Sequence, residues 1–130
     1  MGIMKPAFLS ELRAALPASA LLLEAEALRP YECDGLSAYR QLPLAVCLPE
    51  TVDQAGEVLR ICRAHQVPVV ARGAGTGLSG GALPLADGVV LSLARFNRIL
   101  EIDPDNRLAR VQPGVRNLAI SEAAAPHGLY

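Results

Sequence analysis

The segment of residues 71–82, ARGAGTGLSGGA, holds five glycines in twelve residues, and it constrains the fold more than any other part of the sequence. Glycine adopts positive φ angles without strain and lets main-chain N–H groups converge on one point, where they attract anions such as phosphate. Thr76 and Ser79 add hydroxyl donors, and Arg72 can add charge at the entrance. A plain connection between strands needs fewer glycines. The segment, whose residues 73–82 we call the glycine loop, therefore predicts a site for a phosphate-bearing ligand.

The familiar phosphate-binding motifs do not account for this loop. Residues 75–80 match G-x-G-x-x-G, but a Rossmann fold needs a helix that begins at the loop, and Pro84 and Gly88 interrupt the segment before the next strand. A P-loop needs G-K-[ST], and the loop contains no lysine. Residues 77–81 match the letters of the hydrolase motif G-x-S-x-G, but that motif also needs a helix directly after the serine, and no helix fits before the next strand. The loop is therefore expected to join two strands and to bind its ligand with the backbone.

The residues before the loop predict a βαβ unit. LAVCLP, residues 44–49, is a short apolar run typical of a buried strand. Thr51 and Gln54 form a capping box for a helix over about residues 52–65. VPVVAR, residues 67–72, predicts a second strand that leads into the loop. A strand, a helix and a strand at this spacing predict a parallel pair.

The rest of the chain predicts further short elements. GVVLSL, residues 88–93, is typical of a third strand. Two apolar segments flank the turn signal DPDN, residues 103–106, and predict a β-hairpin. The remaining predictions are a helix over residues 5–16, a short element over residues 21–30, a loop over residues 31–43 and a helix over residues 115–125.

Composition excludes several classes of protein. The chain has 130 residues, of which 52% are hydrophobic, and this is enough for one small packed domain. A net charge of -1 gives no basic surface for nucleic acid.

Three cysteines without a CxxC motif indicate neither a disulfide framework nor a zinc site, and we expect apolar core residues in a reducing compartment. Without a secretory signal or an 18-residue apolar span, the protein is expected to be soluble and cytoplasmic. Because the sequence ends at PHGLY without a polar tail, we expect it to be a piece of a longer protein.

Other polar residues have simple interpretations. Asp34 is expected to form a turn, although it could position a loop near substrate. His65 and His127 are expected on the surface or as partners of a helix dipole rather than as bases. Arg110 and Arg116 could reach a phosphate or a carboxylate, but solvated arginines are commoner. No catalytic residue can be named.

The glycine segment also carries a resemblance to a known family. PVVARGAGTGLSGGALPLADGVVLSL resembles the pyrophosphate loop of FAD-binding domains of the vanillyl-alcohol oxidase/p-cresol methylhydroxylase type. RVQPGV, residues 110–115, resembles the second glycine turn of that family, and the similarity covers about residues 44–130. The whole chain is most similar to the subfamily of the flavin subunit of bacterial glycolate oxidase, which also includes D-lactate and other D-2-hydroxy acid dehydrogenases.

This resemblance implies the fold and the site. It implies a split FAD-binding domain with two α+β subdomains, of which residues 44–130 form the first, with a small mixed sheet, after a helical extension over residues 1–43. Some relatives attach FAD through a histidine of this loop in an R-x-G-G-H pattern, and Thr76 stands at its position, so FAD is expected to be non-covalent, at least through this loop. The residues expected at the cofactor are Arg72, Gly73, Ala74, Gly75, Thr76, Gly77, Leu78, Ser79, Gly80, Pro113 and Gly114.

The resemblance also implies an activity. It implies an FAD-dependent oxidoreductase that oxidises a D-2-hydroxy acid to the 2-oxo acid, with glycolate as the first expectation and D-lactate or another D-2-hydroxy acid as the alternative. The implied partners are a second flavin subunit and an iron–sulfur subunit, which could hold the protein at the inner membrane. A non-catalytic nucleotide-binding module is the alternative from another class. The 130-residue piece alone is expected to be inactive, to bind FAD weakly and to self-associate.

Overall fold

The computed structural model describes residues 3–130; Met1 and Gly2, the start of the predicted extension, lie outside the described residues. The helices are α1 (Pro6–Ala15), α2 (Ala25–Leu28), α3 (Val52–Ala64) and α4 (Asn117–Ala124), with single 3-10 turns at Ala18–Ala20, Arg29–Tyr31 and Ala125–His127. The strands are β1 (Leu21–Leu22), β2 (Ala45–Cys47), β3 (Val69–Arg72), β4 (Val89–Ser92), β5 (Ile99–Asp103) and β6 (Leu108–Val111). The predicted α+β class is confirmed.

The main sheet is mixed and has the strand order β1-β2-β4-β3. β1 is antiparallel to β2, whereas β2 and β3 both run parallel to β4. The expectation that β2 and β3 pair directly is wrong, because β4 lies between them. All four residues of β4 are buried, so this strand belongs at the centre of the sheet, while the half-buried β3 forms an edge.

α3 buries one side in the core that it shares with this sheet, and it begins at the predicted cap. The Thr51 hydroxyl accepts a hydrogen bond from the Gln54 N–H at 3.1 Å, and the Gln54 side chain accepts one from the Glu50 N–H at 2.8 Å. In an ideal capping box the second bond goes to the N–H of the cap residue itself, so here it is shifted by one residue. The first bond satisfies one of the backbone donors that a helix start leaves free, and the second ties the residue before the cap to the first turn.

The hydrophobic core joins α1, α3 and the main sheet. Phe8 and Leu12 of α1 are fully buried in the same cluster as Val46 and Val90 of the sheet. The N-terminal residues therefore share one core with the strands that follow, and the predicted division between residues 1–43 and 44–130 stays a prediction.

The cysteines fit the core prediction only in part. Cys47 and Cys62 are buried, but Cys33 is half-buried in the loop before β2, so the expectation of three core cysteines is wrong for Cys33. Desolvation raises the pKa of the Cys47 thiol to about 12, and that of Cys62 to about 11. The segment around Cys33 is polar and rich in turns, which keeps this side chain close to the surface.

β5 and β6 form a separate antiparallel hairpin, as predicted, and α4 packs against β5. The Asp103 carboxylate accepts hydrogen bonds from the side chain and the backbone N–H of Asn106, which closes the turn. The hairpin leaves Leu100 and Leu108 about half exposed. Among the described residues, no helix is long and apolar enough to cross a membrane.

Candidate cofactor site

The glycine loop leaves the sheet at the end of β3 and returns to the start of β4, with strands on both sides as predicted. Because β3 and β4 are parallel, the glycines lie at the carboxyl edge of the sheet, where open parallel sheets usually bind ligands. The backbone bond from Leu93 N–H to the Arg72 carbonyl, 3.0 Å long, keeps the ends of the two strands together below the loop.

The main-chain N–H groups of the loop are free to bind an anion. Within residues 3–130, no N–H group of residues 73–79 donates a hydrogen bond to another protein group. Backbone donors need a partner, from water or from a ligand, so a run of consecutive free donors is a strong sign of an anion site. Thr76 and Ser79 have exposed side chains within this run.

The five glycines have two different roles. Gly75 and Gly80 have φ angles of 73° and 75°, in the left-handed region that side chains rarely adopt. Gly73, Gly77 and Gly81 have negative or extended φ angles, and a Cβ placed on any of them would meet no atom within 4 Å. The first pair bends the chain, and the other three leave open space along the loop for a ligand.

Two adjoining cavities flank the loop. The larger is a groove of about 640 Å³ whose lining includes Gly73 and Ala74, the Pro113–Gly114 turn and Asn117, the first residue of α4. The smaller, about 350 Å³, lies over the glycine loop itself and is also lined by Asp34. Gly73 and Ala74 line both cavities, so one elongated ligand can occupy the two.

The structure therefore brings together most of the residues predicted to bind the cofactor. Those that line the groove are Arg72, Gly73, Ala74, Pro113 and Gly114, and those that line the smaller cavity are Gly73, Ala74, Gly75, Thr76, Gly77, Leu78 and Ser79. Gly80 lines neither cavity, and its part is the turn that its positive φ permits.

Gly114 also has a packing role that the sequence did not indicate. Its N–H donates a 2.7 Å hydrogen bond to the Phe96 carbonyl, and a Cβ would lie 2.6 Å from the Leu93 carbonyl oxygen. The absence of a side chain lets the turn after β6 rest directly on the turn after β4. Gly114 and Ala94, one from each of these turns, both line the larger groove.

The Arg72 side chain is turned toward the preceding loop. Its guanidinium donates a 2.8 Å hydrogen bond to the Cys33 carbonyl and a 3.4 Å bond to the Pro30 carbonyl, and it lies 5.2 Å from the centre of the Tyr31 ring. The same guanidinium lies where a Cβ on Gly75 would be. Arg72 therefore lines the groove while its donors bind protein carbonyls.

The sequence alone indicates the role of Asp34 only in part and misses that of Gly35. The predicted turn is present, because one Asp34 carboxylate oxygen accepts a 2.8 Å bond from the Leu36 N–H. The other oxygen is buried and has no hydrogen-bond partner among the described residues. Gly35 donates a 2.8 Å bond to the Gly77 carbonyl. A contact between segments so far apart in the chain leaves no local pattern in the sequence.

The remaining candidate residues lie away from the loop or on the surface. His65 contacts Glu11 at 3.1 Å and the Phe8 ring edge-on, which joins α1 to α3. His127 is exposed, and Arg110 faces Glu101 across the hairpin at 3.5 Å. Arg116, the residue before α4, is exposed and lines the larger groove. No three His, Cys, Asp or Glu side chains within residues 3–130 are grouped as metal ligands.

Comparison with known proteins identifies the family. Residues 43–130 match the family described as FAD binding domain, which is more than half of the chain. The chain belongs to this family of FAD-binding domains. The matched residues include the glycine loop and the Pro113–Gly114 turn. They also include Gly73 and Ala74, which line both cavities.

Several curated relatives of this FAD-binding domain are similar in sequence. The chain is 60% identical over 122 residues to glycolate oxidase subunit GlcD of Escherichia coli (strain K12), which covers 94% of the chain and 24% of that protein. It is 33% identical over 125 residues to D-2-hydroxyglutarate dehydrogenase of Stutzerimonas stutzeri, covering 96% of the chain and 27% of that protein. It is 40% identical over 84 residues to D-lactate dehydrogenase of Archaeoglobus fulgidus, covering 65% of the chain and 19% of that protein. The matches thus span about a fifth to about a quarter of the length of these relatives.

Solved structures confirm the predicted fold of the domain. p-Cresol methylhydroxylase with substrate bound superposes with a TM-score of 0.83 at 28% identity, over 98% of this chain and 26% of that one. 4-Ethylphenol oxidase from Gulosibacter chungangensis gives 0.83 at 26% identity, over 95% of this chain and 24% of that one. The predicted p-cresol methylhydroxylase type of FAD-binding domain is therefore correct.

Proposed function

We propose that this chain is the part of an FAD-dependent oxidoreductase that binds the diphosphate of FAD. The observation that carries the proposal is the run of free N–H groups over residues 73–79, at the carboxyl edge of a parallel strand pair, in a domain of the FAD-binding family. An FAD diphosphate is an elongated anion, and it needs several converging donors in one place.

The residues present fit this cofactor. Open space at Gly73, Gly77 and Gly81 lets phosphate oxygens approach the backbone closely. The adjoining groove leads from the loop to the Pro113–Gly114 turn, so the rest of an extended dinucleotide has a surface to lie on. The residues proposed to hold it are Gly73, Ala74, Gly75, Thr76, Gly77, Leu78, Ser79, Gly80, Pro113 and Gly114, with Arg72 at the entrance.

We propose that the cofactor is bound non-covalently at this loop. Thr76 stands at the position at which some relatives link FAD through a histidine, and a threonine hydroxyl does not form that bond to flavin. The exposed Thr76 side chain can instead donate a hydrogen bond toward the ligand cavity that it lines.

The proposed substrate is a D-2-hydroxy acid, with glycolate first. The 60% identity to a protein named glycolate oxidase subunit supports glycolate over D-lactate and D-2-hydroxyglutarate, the substrates named for relatives at 40% and 33% identity. When bound, FAD supplies the acceptor for the hydride that the substrate's α-carbon loses. This chain contributes the binding and placement of the cofactor.

The proposed setting follows from the same relative. Since the Escherichia coli protein is named a subunit, we propose that the full-length protein assembles with a second flavin subunit and an iron–sulfur subunit. We propose a cytoplasmic location, with attachment to the inner membrane through those partners. Co-purification of the tagged protein with flavin- and iron-containing subunits is the expected result, and a protein that purifies as a single active subunit would contradict it.

Anaerobic reduction of the full-length protein tests the function. Glycolate should bleach the visible absorbance of the oxidised flavin faster than D-lactate or D-2-hydroxyglutarate at equal concentration. A faster reaction with D-lactate would move the substrate assignment within the same class. Bound flavin that none of the three acids reduces would instead support the non-catalytic nucleotide-binding alternative.

A further inference from the structure

The loop before β2 contacts the glycine loop and Arg72, which precedes it, although Cys33 and Arg72 are 39 positions apart in the sequence. We call residues 30–36 the bracing segment. It runs from the 3-10 turn at Arg29–Tyr31 to Leu36, beside the smaller of the two ligand cavities. The bracing segment and the glycine loop meet at two places, one at the loop's entrance and one at its middle.

The first contact is made by Arg72. Its guanidinium binds the carbonyls of Cys33 and Pro30 and lies over the Tyr31 ring. A guanidinium has several donors in one plane, so it can bind two carbonyls and stack on an aromatic ring at once, which an ammonium group cannot do. Because the guanidinium also fills the space beside Gly75, it supports the first bend of the glycine loop from below.

The second contact is made by Gly35. Its N–H donates a 2.8 Å hydrogen bond to the Gly77 carbonyl, the one backbone hydrogen bond that residues 73–79 make to another segment of the described chain. A Cβ on Gly35 would lie 2.7 Å from the Thr76 carbonyl oxygen and 2.8 Å from the Gly77 carbonyl oxygen. Both are backbone atoms, so the glycine loop would have to move to make room.

The Gly35 contact binds a carbonyl oxygen of the glycine loop, the Arg72 contact binds carbonyl oxygens of the bracing segment, and both leave the N–H groups of the loop free. A peptide unit directs its C=O and its N–H in opposite directions, so holding the Gly77 carbonyl toward the bracing segment turns the N–H of the same peptide unit away from it. Pairing one side of the loop with protein thus presents the other side to a ligand. A loop held in this state also loses less conformational entropy on binding.

We propose that the bracing segment holds the glycine loop in the conformation that receives the diphosphate, and that Gly35 and Arg72 are positioning residues for the cofactor. The proposal rests on the function proposed above. Arg72 acts here through its geometry and its contacts with Tyr31 and the two carbonyls, and its charge is not a counterion of the diphosphate.

Gly35→Ala in the full-length protein tests the middle contact, and Gly56→Ala is the matched control. Gly56 lies in α3, and a Cβ there meets no atom within 4 Å. We expect Gly35→Ala to weaken FAD affinity by about tenfold or more, since displaced amides lose one or more charge-assisted hydrogen bonds. Gly56→Ala should bind FAD like the wild type. Equal affinity of all three proteins would overturn the role of Gly35.

Arg72→Lys and the salt dependence of FAD binding test the entrance contact. If Arg72 positions the loop, Arg72→Lys and Arg72→Ala should lose similar affinity, and the slope of affinity against salt should stay at the wild-type value. Tyr31→Phe, which keeps the ring, should restore what Tyr31→Ala loses. Full rescue by lysine together with a shallower salt slope in the alanine variant would show a direct charge contact and overturn the proposal.

A readout without FAD separates this proposal from the proposed function. Leu78 is 74% exposed at the tip of the glycine loop, and a protease that cuts at leucine reaches it there. Cleavage at Leu78 in the FAD-free protein should be several-fold faster in Gly35→Ala than in Gly56→Ala, because the brace is lost. Unchanged cleavage would overturn the bracing, whereas faster cleavage in a protein that binds no FAD would uphold it and refute the proposed function alone.

Discussion

Gly75 and Gly77 should respond differently to the same substitution, although the sequence suggests that either one simply makes room for phosphate. Gly75 has a φ of 73°, and alanine there costs about 1–2 kcal/mol because of its left-handed backbone. If the loop must keep that φ to bind, FAD affinity in Gly75→Ala falls about five- to thirtyfold. The Arg72 guanidinium must also move away from the new methyl group.

Gly77→Ala carries no such strain, because its φ is ordinary and a Cβ meets no protein atom within 4 Å. Its methyl group instead enters the space proposed for the diphosphate, so FAD affinity should fall while the unliganded protein keeps wild-type stability. Gly128→Ala is the control, with the same left-handed φ of 71° but open space far along the chain from the loop. It should lower stability without changing FAD affinity. FAD titration and urea unfolding of the three full-length variants measure these effects, and wild-type FAD affinity in Gly77→Ala would refute the reasoning.

Further predictions follow from individual residues. Because we propose non-covalent FAD, with Thr76 at the position where some relatives carry a linking histidine, acid precipitation should release all the flavin, and a yellow pellet would contradict this. Gly114→Ala should lower the free energy of unfolding by about 1–3 kcal/mol, since its Cβ meets backbone carbonyls of the turn after β4 at 2.6–2.9 Å; unchanged urea unfolding would show that this turn is not tightly packed. At mildly alkaline pH a thiol reagent should modify Cys33 first, because burial raises the thiol pKa to about 12 at Cys47 and to about 11 at Cys62. Mass mapping that finds Cys47 or Cys62 labelled first would contradict this prediction. The isolated 130-residue chain should bind FAD weakly and self-associate through exposed apolar side chains of its hairpin; calorimetry showing sub-micromolar affinity, or a monomer at all concentrations, would contradict these two expectations.

Local signals account for what could be predicted of the fold. The capping box at Thr51 and Gln54 started α3 at the observed residue, and the turn signal at residues 103–106 closed the observed hairpin. Each signal acts through hydrogen bonds between residues a few positions apart, so a sequence pattern records it directly. The glycine loop was recognisable for the same reason, because the positive φ angles of Gly75 and Gly80 are local requirements.

Contacts between distant segments account for what could not be predicted. β4 lies between β2 and β3 because it pairs with a strand on each side. The sequence does not reveal which strand takes this central place, because several short apolar segments look alike. The direction of Arg72 depends on carbonyls of Pro30 and Cys33, which no side-chain pattern reveals. Gly35 lies in a segment that has the composition of an ordinary polar loop, although its N–H donates a hydrogen bond to the Gly77 carbonyl in the glycine loop.

Hydrogen–deuterium exchange of the full-length protein with and without FAD tests the central claim most directly. The N–H groups of residues 73–79 have no protein partner among the described residues, so they should exchange rapidly in the FAD-free protein. Saturating FAD should slow their exchange by about tenfold or more, since each amide that binds a phosphate oxygen gains a charge-assisted hydrogen bond. The hairpin turn at residues 103–106 lies outside both cavities, and its exchange should not change in the same experiment. Tightly bound FAD with unprotected amides over residues 73–79 would contradict the account.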